Sequence, residues 1–435
     1  MDSTLTPTPT PESIPEPFQK RQQLAWFMLL GGFGFFLLLL VLVPFGVNAY
    51  LNNATQPLQL HLNANNGTVS IVETSGARLA LLPDEPPREV ELGTTIFTNV
   101  TATGLFTILT PDVEKTLARL QLYSNTELDL IRAEQPRFGL SDQPIQAHMQ
   151  LNSGRVRLTL PEGQEERPFQ LILVTPHTTV YLTQTGQYAV EVNGTSSQVT
   201  VHEGQAMIWT QTETQTMTAD QRAVVTEDQM IHLALTTERN LLQNGDFAQG
   251  FSRWALFAWR LELEDQPSGI TDIRQVGGAP TLHIARAGLG HADVKMRQTI
   301  NQDVTDFQGL RLNVTFRIVY QSLEVCGIQG SECPLFVLLN YIDSGGISRE
   351  FQHGFYALGT PDDDRTPGAC ISCALIQTSH EWVPGNQIYF FELDVHEELA
   401  RQGFNPPSFI ESLSLIASGH SFEVDVIEVA LMAQE

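Results

Sequence analysis

The four cysteines, Cys326, Cys333, Cys370 and Cys373, are the residues whose type and spacing point most directly to chemistry. The order C-x6-C followed by C-x-x-C fits either two disulfides or a four-thiolate zinc site. We predict disulfides, because all four cysteines lie in the part of the chain that we place in an oxidising compartment. Cys326–Cys333 and Cys370–Cys373 are the preferred pairs, although four cysteines allow three pairings.

Motifs of the common catalytic machineries are absent from the sequence. It contains no H-E-x-x-H, no G-x-S-x-G and no G-x-x-x-x-G-K-[ST], which would provide a zinc site, a serine nucleophile and a phosphate-binding loop. The enzymatic alternative is a hydrolase with paired carboxylates such as Asp362 and Glu392. We predict that the protein is not an enzyme.

The charge balance excludes nucleic acid as a partner. The chain has 24 Lys and Arg against 49 Asp and Glu, a formal charge of −25, and only three lysines, Lys20, Lys115 and Lys295. Binding to a polyanion needs clustered cations that release counterions from the phosphates. With this composition, DNA or RNA would be repelled.

One segment near the N-terminus is long and apolar enough to cross a bilayer. Leu24–Val47 carries no charge, and 20 to 24 helical residues at ~1.5 Å each span the ~30 Å hydrocarbon layer. We predict a transmembrane helix over 22–47. A cleaved signal peptide is the alternative, because Val47-Asn48-Ala49 resembles a cleavage site, but signal peptides have shorter apolar cores of ~7–15 residues.

The basic residues around this helix predict its orientation. Lys20 and Arg21 precede it, and the next basic residue after it is Arg78. Since cations are retained on the cytoplasmic side, the N-terminus is expected in the cytoplasm and the remaining chain outside the cell membrane. Residues 1–21 are expected to form a disordered, proline-rich cytoplasmic tail, too short for a cytoplasmic domain. Residues 48–65, rich in Asn and Gln, are expected to form a stalk.

The external chain shows the pattern of an all-β protein. Short runs of alternating apolar and polar residues, such as Arg155–Leu160 and Tyr188–Val192, are separated by Gly, Asn, Asp or Pro at short intervals. This alternation predicts many short strands, each with one face toward a core. Asn193-Gly194 predicts a hairpin turn, because both residue types tolerate positive φ.

The first half of the external chain resembles the FecR domain over roughly 66–230, and we place this domain at 66–235. The motifs that carry the resemblance are LNSGRVRL, LVTPH, YAVEV and VTVHEG, at Leu151–Leu158, Leu173–His177, Tyr188–Val192 and Val199–Gly204. The resemblance implies an extracytoplasmic scaffold or signal-receiving domain. In the ferric-citrate regulators, such a domain signals to a cytoplasmic sigma-factor-binding region, which we expect this protein to lack.

The second half resembles galactose-binding-like jelly rolls, which include many carbohydrate-binding modules. The entry sequence NLLQNGDFAQGFSRW begins at Asn240, and the closing strand FEVDVIEVAL spans Phe422–Leu431. The resemblance covers 240–432, and we place a β-sandwich jelly roll at 240–435. It implies a ligand-binding head, with a cell-wall or extracellular glycan as the expected partner.

This second resemblance also implies two sets of site residues. Asn244, Asp246 and Asp425 match positions that hold a structural calcium in such modules, and oxygen ligands suit this hard cation. The family's following Glu is Ala248 here, and the alternative is that the aspartates accept hydrogen bonds in turns and at strand ends. For a sugar platform we expect exposed rings at Trp259, Trp382 and Tyr356, whereas Trp254 belongs to the core.

Together these features predict a membrane-anchored, extracytoplasmic, non-enzymatic protein with a FecR-like domain and a ligand- or glycan-binding jelly roll. The alternative is a component of a transmembrane signalling system that works through a partner in the membrane.

Overall fold

The computed structural model describes residues 16–162, 167–234, 238–259, 261–324, 326, 333–359, 376–377 and 380–434. For 16–19, 258–259 and 377, only the backbone is described. The expected tail residues 1–15, the cysteines Cys370 and Cys373, and Asp362 lie outside the described residues.

The first described element is helix α1, Glu16–Asn53, whose apolar side chains between Leu24 and Val47 are exposed. The helix is longer than the span predicted over 22–47. It begins at Glu16, within the tail expected to be disordered, and continues through the first residues of the expected stalk. Only Ala54 separates the end of α1 from strand β1. One helix among the described residues is thus long and apolar enough to cross a membrane.

The next eighteen strands close into a β-barrel. They are β1 Thr55–Pro57, β2 Gln59–Asn66, β3 Val69–Val72, β4 Arg78–Leu81, β5 Arg88–Glu89, β6 Thr95–Thr98, β7 Thr103–Leu109, β8 Thr116–Leu122, β9 Glu127–Pro136, β10 Ile145–Leu160, β11 Phe169–Val174, β12 Thr179–Leu182, β13 Gly186–Asn193, β14 Ser196–Glu203, β15 Gln205–Trp209, β16 Thr214–Thr218, β17 Gln221–Thr226 and β18 Ile231–Ala234. The 16-residue strand β10 joins the barrel together, since its first part pairs with β9 and β11 and its second part with β8 and β13.

The expected stalk at 48–65 is not present as a separate segment. Its second part forms β1 and most of β2, and Leu58, Leu60, Leu62 and Ala64 are buried in the barrel core. Alternate side chains of a strand point to opposite faces, so the polar Asn and Gln between them face outward. The period-2 pattern, rather than the Asn and Gln content, decides the structure here.

The second domain is a sandwich of two β-sheets that pack face to face. Its elements are β19 Arg239–Asn240, β20 Ala255–Trp259, β21 Ile270–Val276, β22 Ala279–Arg286, β23 Ala292–Asp303, β24 Gly309–Gln321, β25 Leu335–Asp343, β26 Ser348–Tyr356, β27 Ile376–Gln377, β28 Glu381–Trp382, β29 Tyr389–Asp394, α2 Val395–Arg401, β30 Pro407–Gly419 and β31 Phe422–Gln434.

Strand order explains how the sandwich closes. One sheet runs β21-β22-β31-β24-β29, with β19 added beside β31, and the other runs β20-β23-β30-β25-β26-β27, with β28 beside β26. The alternation is clearest in β24, where Leu310, Leu312, Val314, Phe316 and Ile318 all enter the core. Burial of each such side chain contributes about 1.5–3 kcal/mol. The predicted all-β fold with one N-terminal apolar helix is confirmed.

Two local predictions can be compared with the structure directly. Cys326 and Cys333 form the predicted disulfide. The hairpin predicted at Asn193-Gly194 is present, but its two loop residues are Gly194 and Thr195, since Asn193 pairs with Ser196. The Asn193 side chain accepts hydrogen bonds from the backbone N–H groups of Thr195 and Ser196, so the turn closes without a positive φ at Gly194.

Gly154 provides a test of the barrel, because its φ of +84° and its surroundings both require glycine. A Cβ at this position would lie 2.6 Å from the backbone oxygen of Asn125. We expect Gly154→Ala to lower the free energy of unfolding by about 2–4 kcal/mol, from left-handed strain and overpacking. The measurement is denaturant unfolding of the full chain in detergent micelles.

The matched control is Gly194→Ala. A Cβ on Gly194 meets no atom within 4 Å, so the change is expected to stay within about 0.5 kcal/mol. Equal stability of the two variants would contradict the close approach of β10 to the turn at Asn125.

Candidate binding cleft between the two domains

A buried ion pair joins the barrel to the sandwich. Arg155, on β10, is only 2% exposed, and its two terminal nitrogens bind the two carboxylate oxygens of Asp306, with Nη2 2.9 Å from Oδ2. Such a bidentate pair fixes both distance and orientation. Arg157 adds a longer contact to the same carboxylate, at 3.7 Å.

A second ion pair lies beside the first. Arg239, at the start of the sandwich, approaches Glu191 of β13, with Nη1 2.8 Å from Oε2. The guanidinium groups of Arg155 and Arg239 both lie over the ring of Phe307, at 4.6 and 4.9 Å from its centroid. These cation–π contacts add attraction that is strongest where water is excluded.

The turn before β9 adds hydrogen bonds across the same boundary. Ser124 donates from its backbone N–H and its hydroxyl to Asp303 Oδ2, at 2.9 and 2.7 Å. Burial raises the pKa of the neighbouring Tyr123 phenol, and the charge of Asp306 raises it further. Tyr123 therefore stays protonated and adds no charge at this boundary. The hydrogen bonds and ion pairs together connect the two domains.

A cleft of about 520 Å³ opens at this boundary. Its walls come from the 193–195 turn and Asn125 of the barrel, and from 240–241, Gln243, Arg253 and 300–303 of the sandwich. The volume lies in the range of small-ligand sites. Asn, Gln, Ser and Thr side chains dominate the walls, and none of the described lining residues is His, Cys, Lys or aromatic. These lining residues thus contain no nucleophile beside a histidine base.

The three residues predicted for calcium are not brought together. Asn244 binds its own loop, since its Nδ2 donates to the backbone oxygens of Gly250 and Ser252, and Asp246 is exposed. Gly245, next to Asp246, is hydrogen-bonded to Val429 of β31. Asp425 lies four residues away from Val429 on the same strand, a separation of about 13 Å.

Both oxygens of Asp425 are already engaged. Oδ1 lies 2.8 Å from Nδ1 of His283, and Oδ2 accepts from Arg317, with Nε at 3.1 Å. Asp425 therefore acts within an ion-pair network on the sheet.

The predicted rings do not form an open platform among the described side chains. Tyr356 is 4% exposed, because it packs against the disulfide together with Phe336, and Trp382 is half-buried against the same cluster. The Trp259 side chain lies outside the described part of the chain. Trp254 lies in the core, as predicted, and its indole N–H donates to the backbone oxygen of Asn244.

One group of described residues has the composition of a metal site. Ligand atoms of Cys326, Cys333 and His380 lie within 4.8 Å of one another, and all three residues are buried. The two cysteines are joined as a disulfide, so neither is a thiolate that could bind zinc. This group therefore does not support the zinc alternative.

The comparisons with known proteins find solved structures that are similar to less than half of this chain. No family model matches, and no curated protein matches. A protein described as an anti-sigma factor from Parabacteroides distasonis is similar at 16% identity and a TM-score of 0.24, and the match covers 32% of this chain and 58% of that one. The chain thus spans less than two thirds of that protein.

Carbohydrate-binding modules are also among the similar structures. The family 11 module from Clostridium thermocellum, in complex with a mixed-linked tetrasaccharide, has 12% identity and a TM-score of 0.25, and the match covers 45% of this chain and 94% of that one. A xylan-binding domain from Paenibacillus barcinonensis has 9% identity and a TM-score of 0.26, and the match covers 46% of this chain and 97% of that domain. Since these TM-scores lie below 0.5, the likenesses do not assign a function.

Removal of Asp306 tests the boundary that forms the cleft. We expect Asp306→Ala to lower the free energy of unfolding by about 3–5 kcal/mol, because it leaves a buried guanidinium without its main partner. Unfolding is expected to separate into two transitions, one for each domain, in calorimetry of the full chain.

The control is Asp272→Ala, which removes a pair with Arg274 between side chains that are nearly half exposed. Exposed pairs contribute about 0–1 kcal/mol. If both variants unfold like the parent chain, the ion pair at Arg155 does not hold the domains together.

Proposed function

We propose that the protein is a membrane-anchored, extracytoplasmic, non-enzymatic binding protein whose ligand is a glycan. The observation that carries the proposal is the cleft, which is formed by two domains locked in place by buried ion pairs. A site whose walls are already fixed loses little conformational entropy when the ligand binds. Amide and hydroxyl side chains match the hydroxyl groups of a saccharide.

The exposed surface of α1 supports the anchor. The apolar side chains of Leu24–Val47 are exposed along the whole helix, which in water would be a large unfavourable surface. A bilayer removes this cost. Lys20 and Arg21 at the N-terminal end favour a cytoplasmic N-terminus, and in this orientation the barrel and the sandwich would lie outside.

The barrel is attached directly to the end of this helix. Ser141 donates its hydroxyl to the backbone oxygen of Asn52 at 2.7 Å, and Gln143 Nε2 donates to Asn53 Oδ1 at 3.2 Å. The Tyr50 and Phe138 rings lie 5.7 Å apart. Tyr50 follows the apolar stretch by three residues, about 4.5 Å along a helix, so we infer that 137–143 lies at the membrane surface.

A signalling role is the second candidate, and the β9–β10 pair favours it. The two antiparallel strands are joined by the loop that contacts the helix, and their pairing ends at Glu127 and Ser153, beside the cleft. Ten residues of strand cover about 33 Å. A ligand that moves the cleft end would therefore act on the helix through one rigid pair of strands. Crosslinking that captures a membrane partner only with ligand present would support this role.

Leu140 tests the position of the barrel on the membrane. It is 70% exposed within the 137–143 loop, and Leu289 of the sandwich is 69% exposed. We expect an environment-sensitive fluorophore on Leu140→Cys in lipid nanodiscs to show blue-shifted emission and quenching by brominated lipids. The same label on Leu289→Cys is expected to show neither. Equal, water-like spectra at both positions would contradict this placement.

The binding function is tested with the full chain in nanodiscs on a glycan array that contains neutral and acidic saccharides. We expect retention on at least one class of saccharide, because the cleft is preformed, and none by empty nanodiscs. Retention by the parent chain that is reduced in Asp306→Ala would connect binding to the domain boundary. The absence of retention on every saccharide would overturn the proposed function.

A further inference from the structure

We propose that the cleft binds a saccharide that carries a carboxylate, such as a uronic acid unit. This inference rests on the proposed function and names the ligand chemistry of the same site. Two features of the lining residues carry it. The amide side chains are oriented as donors, and the exposed charge among the lining residues is an arginine.

Three amide side chains have their oxygen atoms already engaged. Asn240 Oδ1 accepts from the backbone N–H groups of Leu242 and Leu431, both at 3.0 Å. Gln198 Oε1 accepts from Arg222 and Arg239, at 3.1 and 3.2 Å. These donors fix which end of each amide is the oxygen.

Asn193 behaves in the same way. Its Oδ1 accepts from the backbone N–H groups of Thr195 and Ser196, at 3.1 and 2.9 Å. The NH₂ groups of Asn193, Gln198 and Asn240 make no hydrogen bond to the described residues, and all three side chains line the cleft. The cleft therefore presents donors, and it selects a ligand rich in acceptors.

The charged residues at the cleft differ in exposure and in their partners. Asp303 is buried and accepts hydrogen bonds from Ser124 and Thr305. Arg155, Arg157 and Arg239 face Glu191 and Asp306 in the ion pairs at the domain boundary. Arg253 also lines the cleft and is exposed, and it forms no ion pair with the described residues. In a chain with a net charge of −25, an unpaired arginine beside oriented donors indicates an anionic ligand.

A carboxylate on a saccharide satisfies both features. An arginine fork binds a carboxylate in a bidentate manner, and the sugar hydroxyl oxygens accept from the amide NH₂ groups. The described lining residues include no ring for stacking, so hydrogen bonds and charge would account for recognition. A single free arginine matches one carboxylate better than a chain of phosphates, which needs several cations.

The test compares tetragalacturonic acid with neutral galactotetraose, by calorimetry with the full chain in nanodiscs. We expect the acidic probe to bind at least tenfold more tightly. Asn240→Asp and Gln198→Glu keep the engaged oxygen and replace the NH₂ donor with a second acceptor of the same size. Each is expected to weaken binding of the acidic probe at least tenfold, and Arg253→Gln at least threefold.

Matched controls lie far from the cleft. Asn386→Asp makes the same amide change in an exposed turn, and Arg88→Gln removes an exposed arginine with no ion pair among the described residues. Both are expected to bind like the parent chain. Thermal unfolding of each variant shows whether the fold is kept, and Gln198→Glu gives an independent result if Asn240→Asp is unstable.

The outcomes separate this inference from the proposed function. Equal affinity for the acidic and neutral probes would overturn the proposal that the ligand carries a carboxylate. If the three cleft variants bind saccharide as tightly as the parent chain, the cleft is not the binding site, although the protein still binds a glycan. Tighter binding of a sugar phosphate than of the uronate would also overturn the proposal. No binding to any saccharide would overturn the proposed function itself.

Discussion

The guanidinium of Arg155 is almost entirely removed from water, and a buried cation is tolerated only with a well-placed partner. That partner, Asp306, belongs to the other domain. The barrel can therefore keep Arg155 inside only while the sandwich is docked on it. The relative position of the domains, and with it the shape of the cleft, depends on this ion pair. Phe307, which lies under both Arg155 and Arg239, excludes water from the same place.

The β9–β10 pair carries this constraint to the other end of the barrel. The pairing of its strands ends beside the cleft, and the strands are joined by the loop that binds the end of α1. The pair has hydrogen-bonded neighbours on both sides, β1 and β6 beside β9 and β11 beside β10. A disturbance at Arg155 and the position of Asn52 are thus coupled through backbone hydrogen bonds. The proposed binding and signalling roles are compatible, because both would use the same strands.

The sequence predicts the fold class much better than the site. Strand alternation is a local property, so β24 can be predicted from its own residues, and the apolar length of α1 is equally local. The error at 48–65 arose because Asn and Gln content outweighed the alternation of Leu60, Leu62 and Ala64. The pairing of Arg239 with Glu191 joins residues 48 positions apart, and no local pattern predicts it. The engaged oxygens of Asn240 and Gln198 depend on tertiary contacts in the same way.

An anionic ligand must reach a protein that carries 25 more negative than positive charges. At physiological ionic strength, exposed charges are screened beyond about 8 Å, so the distant carboxylates repel weakly. At the cleft, Glu191 and Asp306 are neutralised by arginines at contact distance. Asp303 is buried and hydrogen-bonded to Ser124 and Thr305, so Arg253 is the exposed charge among the lining residues. High overall acidity and a site for an acidic saccharide are thus compatible, because the negative charges nearest the cleft are those that hold the domains together.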